Sequence, residues 1–224
     1  PGGDCSGVVL VAGQHSPLSP GQSVFGLAEG SLGSHVQASA QTLVAMPGQI
    51  SFEAAATMPT VFITVDMVLH RAAAMQRGER VLVHAAAGGV GLAALQLIEA
   101  AGATPVATAG SPSKRSLLRS LGVAHVVNSR DLSCFEGVAA AGGVDVVLNS
   151  LTSPGMVAGS LSVLRRGGRF VEIGKRDIWA PAAVAAERPD VSYSLLAVDF
   201  LPDVVVQSAL QRMAAGVAAG QLAP

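Results

Sequence analysis

Residues 81–91 read Val-Leu-Val-His-Ala-Ala-Ala-Gly-Gly-Val-Gly, an apolar run that feeds straight into a turn of small residues. The turn, Ala86-Ala87-Gly88-Gly89-Val90-Gly91, has the spacing Ala86-x-Gly88-x-x-Gly91, with alanine where the stricter dinucleotide fingerprint has its first glycine. Small residues here let backbone N–H groups and the positive end of the next helix approach a pyrophosphate closely. Taken alone, such a turn is a weak signal, and the next strand supplies a second test. A site for an unphosphorylated ribose places Asp or Glu about 20 residues past the glycines, where it binds the 2′-OH. This chain reads Ala109-Gly110-Ser111-Pro112-Ser113-Lys114-Arg115 there, with no carboxylate and two cations. A 2′-phosphate wants positive charge and hydroxyl donors, and guanidinium binds it through two parallel bonds. Ser111, Lys114 and Arg115 therefore point to NADP(H) over NAD(H). In the competing reading, Lys114 and Arg115 only solvate the first turn of a helix running to Leu121.

Other polar groups stand where apolar runs end. Asn149 and Ser150 follow Val146-Val147-Leu148, Lys175 follows Ile173-Gly174, and Asp199 follows another such run. In open α/β sheets, ligand-binding groups gather at the carboxyl ends of strands near the switch point. Lysine suits chemistry there because it presents a mobile charge whose pKa responds to its surroundings. The bland alternatives are a Lys175–Asp199 ion pair closing the sheet edge and an asparagine that merely turns the chain. His84 reads as a packing histidine, Asp4 as a tie at the start of the first strand region, and Arg176 and Asp177 as loop charges.

These residues need a scaffold. The 224 residues are 50% hydrophobic and 13% charged with a net charge of -1, so no basic footprint for nucleic acid or an anionic membrane is present. No apolar run is read as approaching a membrane span. Cys5 and Cys134 form no disulfide framework or metal spacing, and the histidines at 15, 35, 70, 84 and 125 are scattered, so no metal site is expected and a cytoplasmic setting is. Residues 1–50 read as short antiparallel strands near 7–11, 23–27, 35–37 and 43–45, the signature of a small barrel or sandwich. Ser51 caps a short helix, and a longer one is expected over 60–74. Strands at 81–84, 105–108, 125–128, 144–149, 169–173 and 191–198 then alternate with helices near 89–101, 113–121, 154–165 and 181–187. That rhythm predicts a Rossmann-type doubly wound parallel sheet in an α/β chain, followed by a closing helix over 202–219.

With these stretches placed, the chain resembles the enoyl reductase domains of modular polyketide and fatty acid synthases. These form a zinc-independent, quinone oxidoreductase-like branch of the medium-chain dehydrogenase/reductase superfamily. The likeness rests on residues 3–9, 81–91, 144–151 and 167–175. It implies part of a GroES-like β-barrel substrate domain over 1–52, an NADP-binding Rossmann domain over 53–200, and a C-terminal helix, 201–224, returning toward the substrate domain. It implies NADPH-dependent reduction of a trans-2-enoyl thioester carried on acyl carrier protein by phosphopantetheine, beside synthase domains such as a ketoreductase. It places Lys175 as proton donor or enolate stabiliser, Asp199 as its positioner, and Thr64 near the nicotinamide, although a threonine on a helix can equally bond its own helix carbonyl. Asn149, Ser150, Ile173, Gly174 and Lys175 would border the cofactor together with residues 86–91. Zinc relatives carry Gly-His-Glu where this chain has Gly2-Gly3-Asp4, so a zinc mechanism is not expected. The alternatives are a stand-alone NADPH:quinone oxidoreductase-like enzyme and an inactive reductase-like scaffold. Starting on a strand without methionine, the chain reads as a piece of a larger protein.

Overall fold

The computed structural model describes residues 1–176 and 178–224, so Asp177 lies outside the described residues. The chain opens on strands β1 (Asp4–Val8), β2 (Ser23–Leu27) and β3 (Leu43–Ala45), followed by helices α1 (Phe52–Ala55) and α2 (Pro59–Asp66). A π-helical turn, Met67–Ala72, follows α2. Next come β4 (Arg80–Val83), α3 (Gly89–Ala100), β5 (Thr104–Ala109), α4 (Pro112–Ser120) and β6 (His125–Asn128). The second half contains α5 (Cys134–Ala140), β7 (Val144–Asn149), α6 (Met156–Ser162), β8 (Leu164–Glu172), α7 (Pro181–Glu187) and β9 (Ser192–Leu195). A 3-10 turn, Val198–Phe200, leads to the last helix, α8 (Asp203–Ala218).

Two compact units result, one of Pro1–Asp66 with Ala197–Pro224 and one of Met67–Leu196. These limits differ from the expected domain breaks after residues 52 and 200. Residues 53–66 pack with the small sheet because Asp4 Oδ1 accepts the Thr60 N–H at the start of α2, at 2.7 Å. At its other end, buried Asp66 is held by Arg212 of α8 through bonds of 2.9 and 2.6 Å. Gln207 of the same helix donates to Leu43 O at 3.2 Å. The three strands of this unit pair antiparallel in the order β1-β2-β3. β1 lies earlier than expected because the five residues of β2 pair Asp4 with Leu27 through Val8 with Ser23, leaving Leu10 and Val11 beyond the ladder and exposed. Residues 35–37 form no strand, since exposed Val36 gains no burial there. Ser51 does cap α1, its hydroxyl accepting the Ala54 N–H.

The second unit holds six parallel strands in the order β6-β5-β4-β7-β8-β9. That order places the switch point between β4 and β7, and ligands in such sheets sit outside the carboxyl ends of the strands there. Valine-rich strands run apolar on both faces, as helices covering both sides require. Leu82, Val147 and Phe170 are fully buried, with Phe135, Leu161 and Val184 packed in the same cluster. Helix α5 was not expected: its stripe of Cys134, Phe135 and Val138 is short and interrupted by Gly137, so only packing against that cluster declares it. The stretch Phe52–Ala72 corrects the membrane reading: its 21 residues contain an 18-residue window with a mean hydropathy of 1.4, long and apolar enough to cross a membrane. In this fold 61% of its apolar window is buried inside the protein, as for a core helix.

Candidate cofactor and active site

The small-residue turn joins β4 to α3. Gly88 stands at the N-cap of α3 in extended conformation, so no capping side chain covers the first amides of that helix. A methyl at Gly91 would lie 2.4–2.5 Å from the backbone of Ala86, which makes glycine obligatory for the helix to pack this tightly on the turn. Alanine is accommodated at position 86 because the left-handed residue is Ala85, at φ 51, and the Ala86 methyl is buried. A left-handed alanine costs on the order of 1 kcal/mol. Three bonds hold this stretch: the Ala85 N–H donates to Thr108 Oγ1 at 3.3 Å, the Ala86 N–H to Thr108 O at 2.9 Å and the Gly88 N–H to Ala85 O at 2.9 Å. The cradle fits a dinucleotide diphosphate.

His84 lies beneath the turn, buried, with Nδ1 3.1 Å from Thr108 Oγ1 and Nε2 2.7 Å from Ser160 Oγ. Ser160 donates its only hydrogen to Met156 O at 2.7 Å, so it accepts from His84 Nε2–H, and Nδ1 accepts from Thr108. Burial holds the His84 pKa down at about 4, so the ring is neutral. An edge-on contact with Phe135 at 6.2 Å completes its surroundings. This is a packing histidine with every polar atom partnered.

The carboxyl end of β5 carries the cations. Ser111 caps α4, accepting the Lys114 N–H at 3.3 Å, and Lys114 is exposed. Arg115 is anchored, its Nη1 donating to Ala109 O at 3.1 Å and Asn128 Oδ1 at 3.2 Å. Parallel pairing of Ala109 with Asn128 brings in a third cation, Arg130, whose Nε lies 2.9 Å from where a side chain on Gly110 would begin. Sequence reasoning missed Arg130 because it follows β6, twenty residues past the loop it faces. A cation just after the third strand of the unit was the available signal.

At the ends of β7 and β8, buried Asn149 donates through Nδ2 to Glu172 Oε2 at 2.6 Å and to Leu151 O at 3.2 Å. Its carboxamide is thus committed to neighbouring protein groups. Glu172, 1% exposed, also accepts the Gly174 N–H at 2.7 Å, and burial pushes its pKa up against the pull of these donors. Burial and the nearby Glu172 charge push Tyr193 up to about 12, with its hydroxyl donating to Trp179 O at 3.0 Å. Ser150, Ile173 and Gly174 are half-buried beside this cluster, and Lys175 is exposed. The sheet unit therefore gathers residues 86–91, Ser111, Lys114, Arg115, Asn149, Ser150 and 173–175 along one edge. Thr64 and Asp199 belong to the other unit. The Thr64 hydroxyl donates to Thr60 O at 2.7 Å, within its own helix, and Asp199 is exposed in the 3-10 turn.

A glycine turn at the first strand of a sheet ordered 3-2-1-4-5-6 defines a dinucleotide-binding α/β protein. The sequence pattern of the zinc-binding dehydrogenase family matches residues 89–195. The chain is 43% identical to the CurK enoyl reductase, whose crystal structure it matches with a TM-score of 0.92 over 99% of this chain and 68% of that one. It also resembles the quinone oxidoreductase of Thermus thermophilus, a protein whose complex with NADPH has been solved, at 30% identity and a TM-score of 0.83 over 100% of this chain and 70% of that one. Among curated proteins it is 47% identical, over 86% of its length, to the spectinabilin polyketide synthase system protein NorB of Streptomyces orinoci, of which it spans 9%. The chain belongs to the medium-chain, zinc-binding dehydrogenase family, in its branch of polyketide synthase enoyl reductases. Zinc itself does not fit the side chains present, since among the described residues no three His, Cys, Asp or Glu groups gather to hold a metal.

Proposed function

We propose that this domain uses NADPH to reduce a trans-2-enoyl thioester, carried by phosphopantetheine on acyl carrier protein, to the saturated acyl thioester. The setting is a cytoplasmic multienzyme with neighbours such as a ketoreductase. The observation that carries the reading is the end of β5, free of carboxylates along residues 109–115, with Ser111, Lys114, Arg115 and Arg130 beside a glycine turn. When bound, the cofactor supplies a hydride to the β-carbon of the substrate. Residues 86–91 seat the diphosphate, the cations and Ser111 hold the 2′-phosphate, and Asn149, Ser150, Ile173 and Gly174 border the nicotinamide. Addition at the β-carbon would shift the carbon–carbon π pair toward the thioester carbonyl and leave negative charge on its oxygen for the protein to stabilise. Lys175 Nζ stabilises that oxygen or gives its proton to the α-carbon, which completes the saturated product. Family likeness assigns Asp199 the task of positioning the ammonium or a water, and Thr64 a place near the nicotinamide.

The test follows NADPH consumption with crotonyl-pantetheine and with crotonyl-carrier protein, running NADH and a simple quinone in parallel. Fast oxidation of NADPH by the thioesters supports the proposal. Turnover on the quinone alone would make the domain a quinone oxidoreductase-like enzyme, and NADPH binding without oxidation a scaffold.

A further inference from the structure

Glu172 has no place in the mechanism above, yet it is the most deeply buried carboxylate at the carboxyl end of the sheet, at 1% exposure. Removing a carboxylate from water is costly unless donors meet it, so the origin of its donors matters. Asn149 Nδ2 at the end of β7 donates from 2.6 Å and the Gly174 N–H just past β8 from 2.7 Å, and the Ile173 N–H also favours the charged carboxylate. The close approach is built in, because a methyl on Gly174 would stand 2.7 Å from Glu172 Oε1. Asn149 in turn grips its own loop, donating to Leu151 O at 3.2 Å and accepting the Leu151 N–H at 3.4 Å. The backbone repeats the tie, with the Ile173 N–H donating to Asn149 O at 2.9 Å.

We propose that Glu172 is a positioning residue whose carboxylate pins the loop after β7 to the loop after β8, and so fixes where Gly174 and Lys175 present themselves. Only two acceptor oxygens on one group meet both donors. A glutamine has one oxygen and one amino group, so it satisfies either Asn149 or Gly174 and confronts the other with a second donor. Exchanging the pair, with Asp at 149 and Gln at 172, restores an acceptor for Gly174 and a donor–acceptor match across the strands at unchanged net charge, while a carboxylate oxygen replaces the amide that had donated to Leu151 O.

The kinetic half of this inference rests on the reductase reading, whereas its structural half does not, and the experiment keeps them apart. Amide hydrogen exchange at Leu151 and Gly174 is measured on the folded domain, together with kcat and the KM for NADPH with crotonyl-pantetheine. For Glu172→Gln, exchange at one or both amides rises about tenfold and kcat falls about tenfold, while the KM for NADPH stays within about threefold. In the exchanged pair N149D/E172Q the Gly174 amide keeps its protection to within about threefold of wild type. Unchanged amide exchange in Glu172→Gln overturns the inference, as does faster exchange with unchanged kcat, or an exchanged pair whose Gly174 amide is deprotected about tenfold. If Glu172→Gln does not fold, a folded exchanged pair with near wild-type exchange at Gly174 upholds the pin, and an unfolded one overturns it. A wild-type domain that consumes no NADPH with the thioester sinks the reductase reading alone, and amide exchange then decides the role of Glu172.

Discussion

His84 Nε2 donates to Ser160 Oγ across 2.7 Å, which ties the last residue before the glycine turn to helix α6. Through Thr108 the same ring reaches the N–H of Ala85, the left-handed residue that opens the turn. A chain of single donors and acceptors thus runs from the turn backbone, through β5 and β4, to Met156 O. It holds only while the ring is neutral.

Stability should therefore depend on pH through His84. Its folded pKa, near 4, lies below the unfolded value of 6.5, so the unfolded chain binds the proton more readily between them. The contribution is complete above pH 6.5 and is lost as pH falls toward 4, amounting to about 3 kcal/mol at most. Urea unfolding of the wild type and of His84→Gln across this range checks it; equal pH slopes for the two proteins would contradict the assignment.

Gly91→Ala should be severe. Its methyl would meet Ala86 backbone atoms 2.4–2.5 Å away, so the turn and α3 must separate. We expect a loss of about 1–3 kcal/mol in unfolding free energy and no measurable NADPH binding. Retention of wild-type affinity would show that this turn does not seat the diphosphate.

Arg115→Glu should weaken NADPH binding about tenfold or more while changing NADH binding by about threefold or less. Because Arg115 also braces Ala109 and Asn128, Arg130→Glu is the cleaner companion, and the same preference for NADPH loss is expected. Fluorescence titration with both nucleotides reads the ratio. Equal losses would remove the 2′-phosphate assignment.

Lys175→Ala should lower kcat about a hundredfold with the dissociation constant for NADPH largely kept. Stopped-flow hydride transfer and equilibrium titration separate the two quantities. Full turnover in this variant would take Lys175 out of the proton path.

Much of the sheet was legible because a strand buried on both faces must be largely apolar, and β7 falls at its expected limits. Helix α5 was not legible, since seven residues with a central glycine carry too short a stripe to signal themselves. The segment at 35–37, His-Val-Gln, misled because a lone valine between polar residues reads as a short alternating strand, yet no neighbouring strand pairs with it. Among the site residues, Asn149 was noticed as a polar strand end, but its direction toward Glu172 depends on a residue twenty-three positions later.

Residue order alone determined the glycine turn, the acid-free stretch after β5 and the alternation of strand and helix, because each is a matter of local spacing and side-chain size. Tertiary structure alone decided that Arg130 joins Arg115 and that Glu172 holds both Asn149 and Gly174. Parallel pairing sets the ends of distant strands side by side, and the partner of a buried charge is whatever group that pairing delivers.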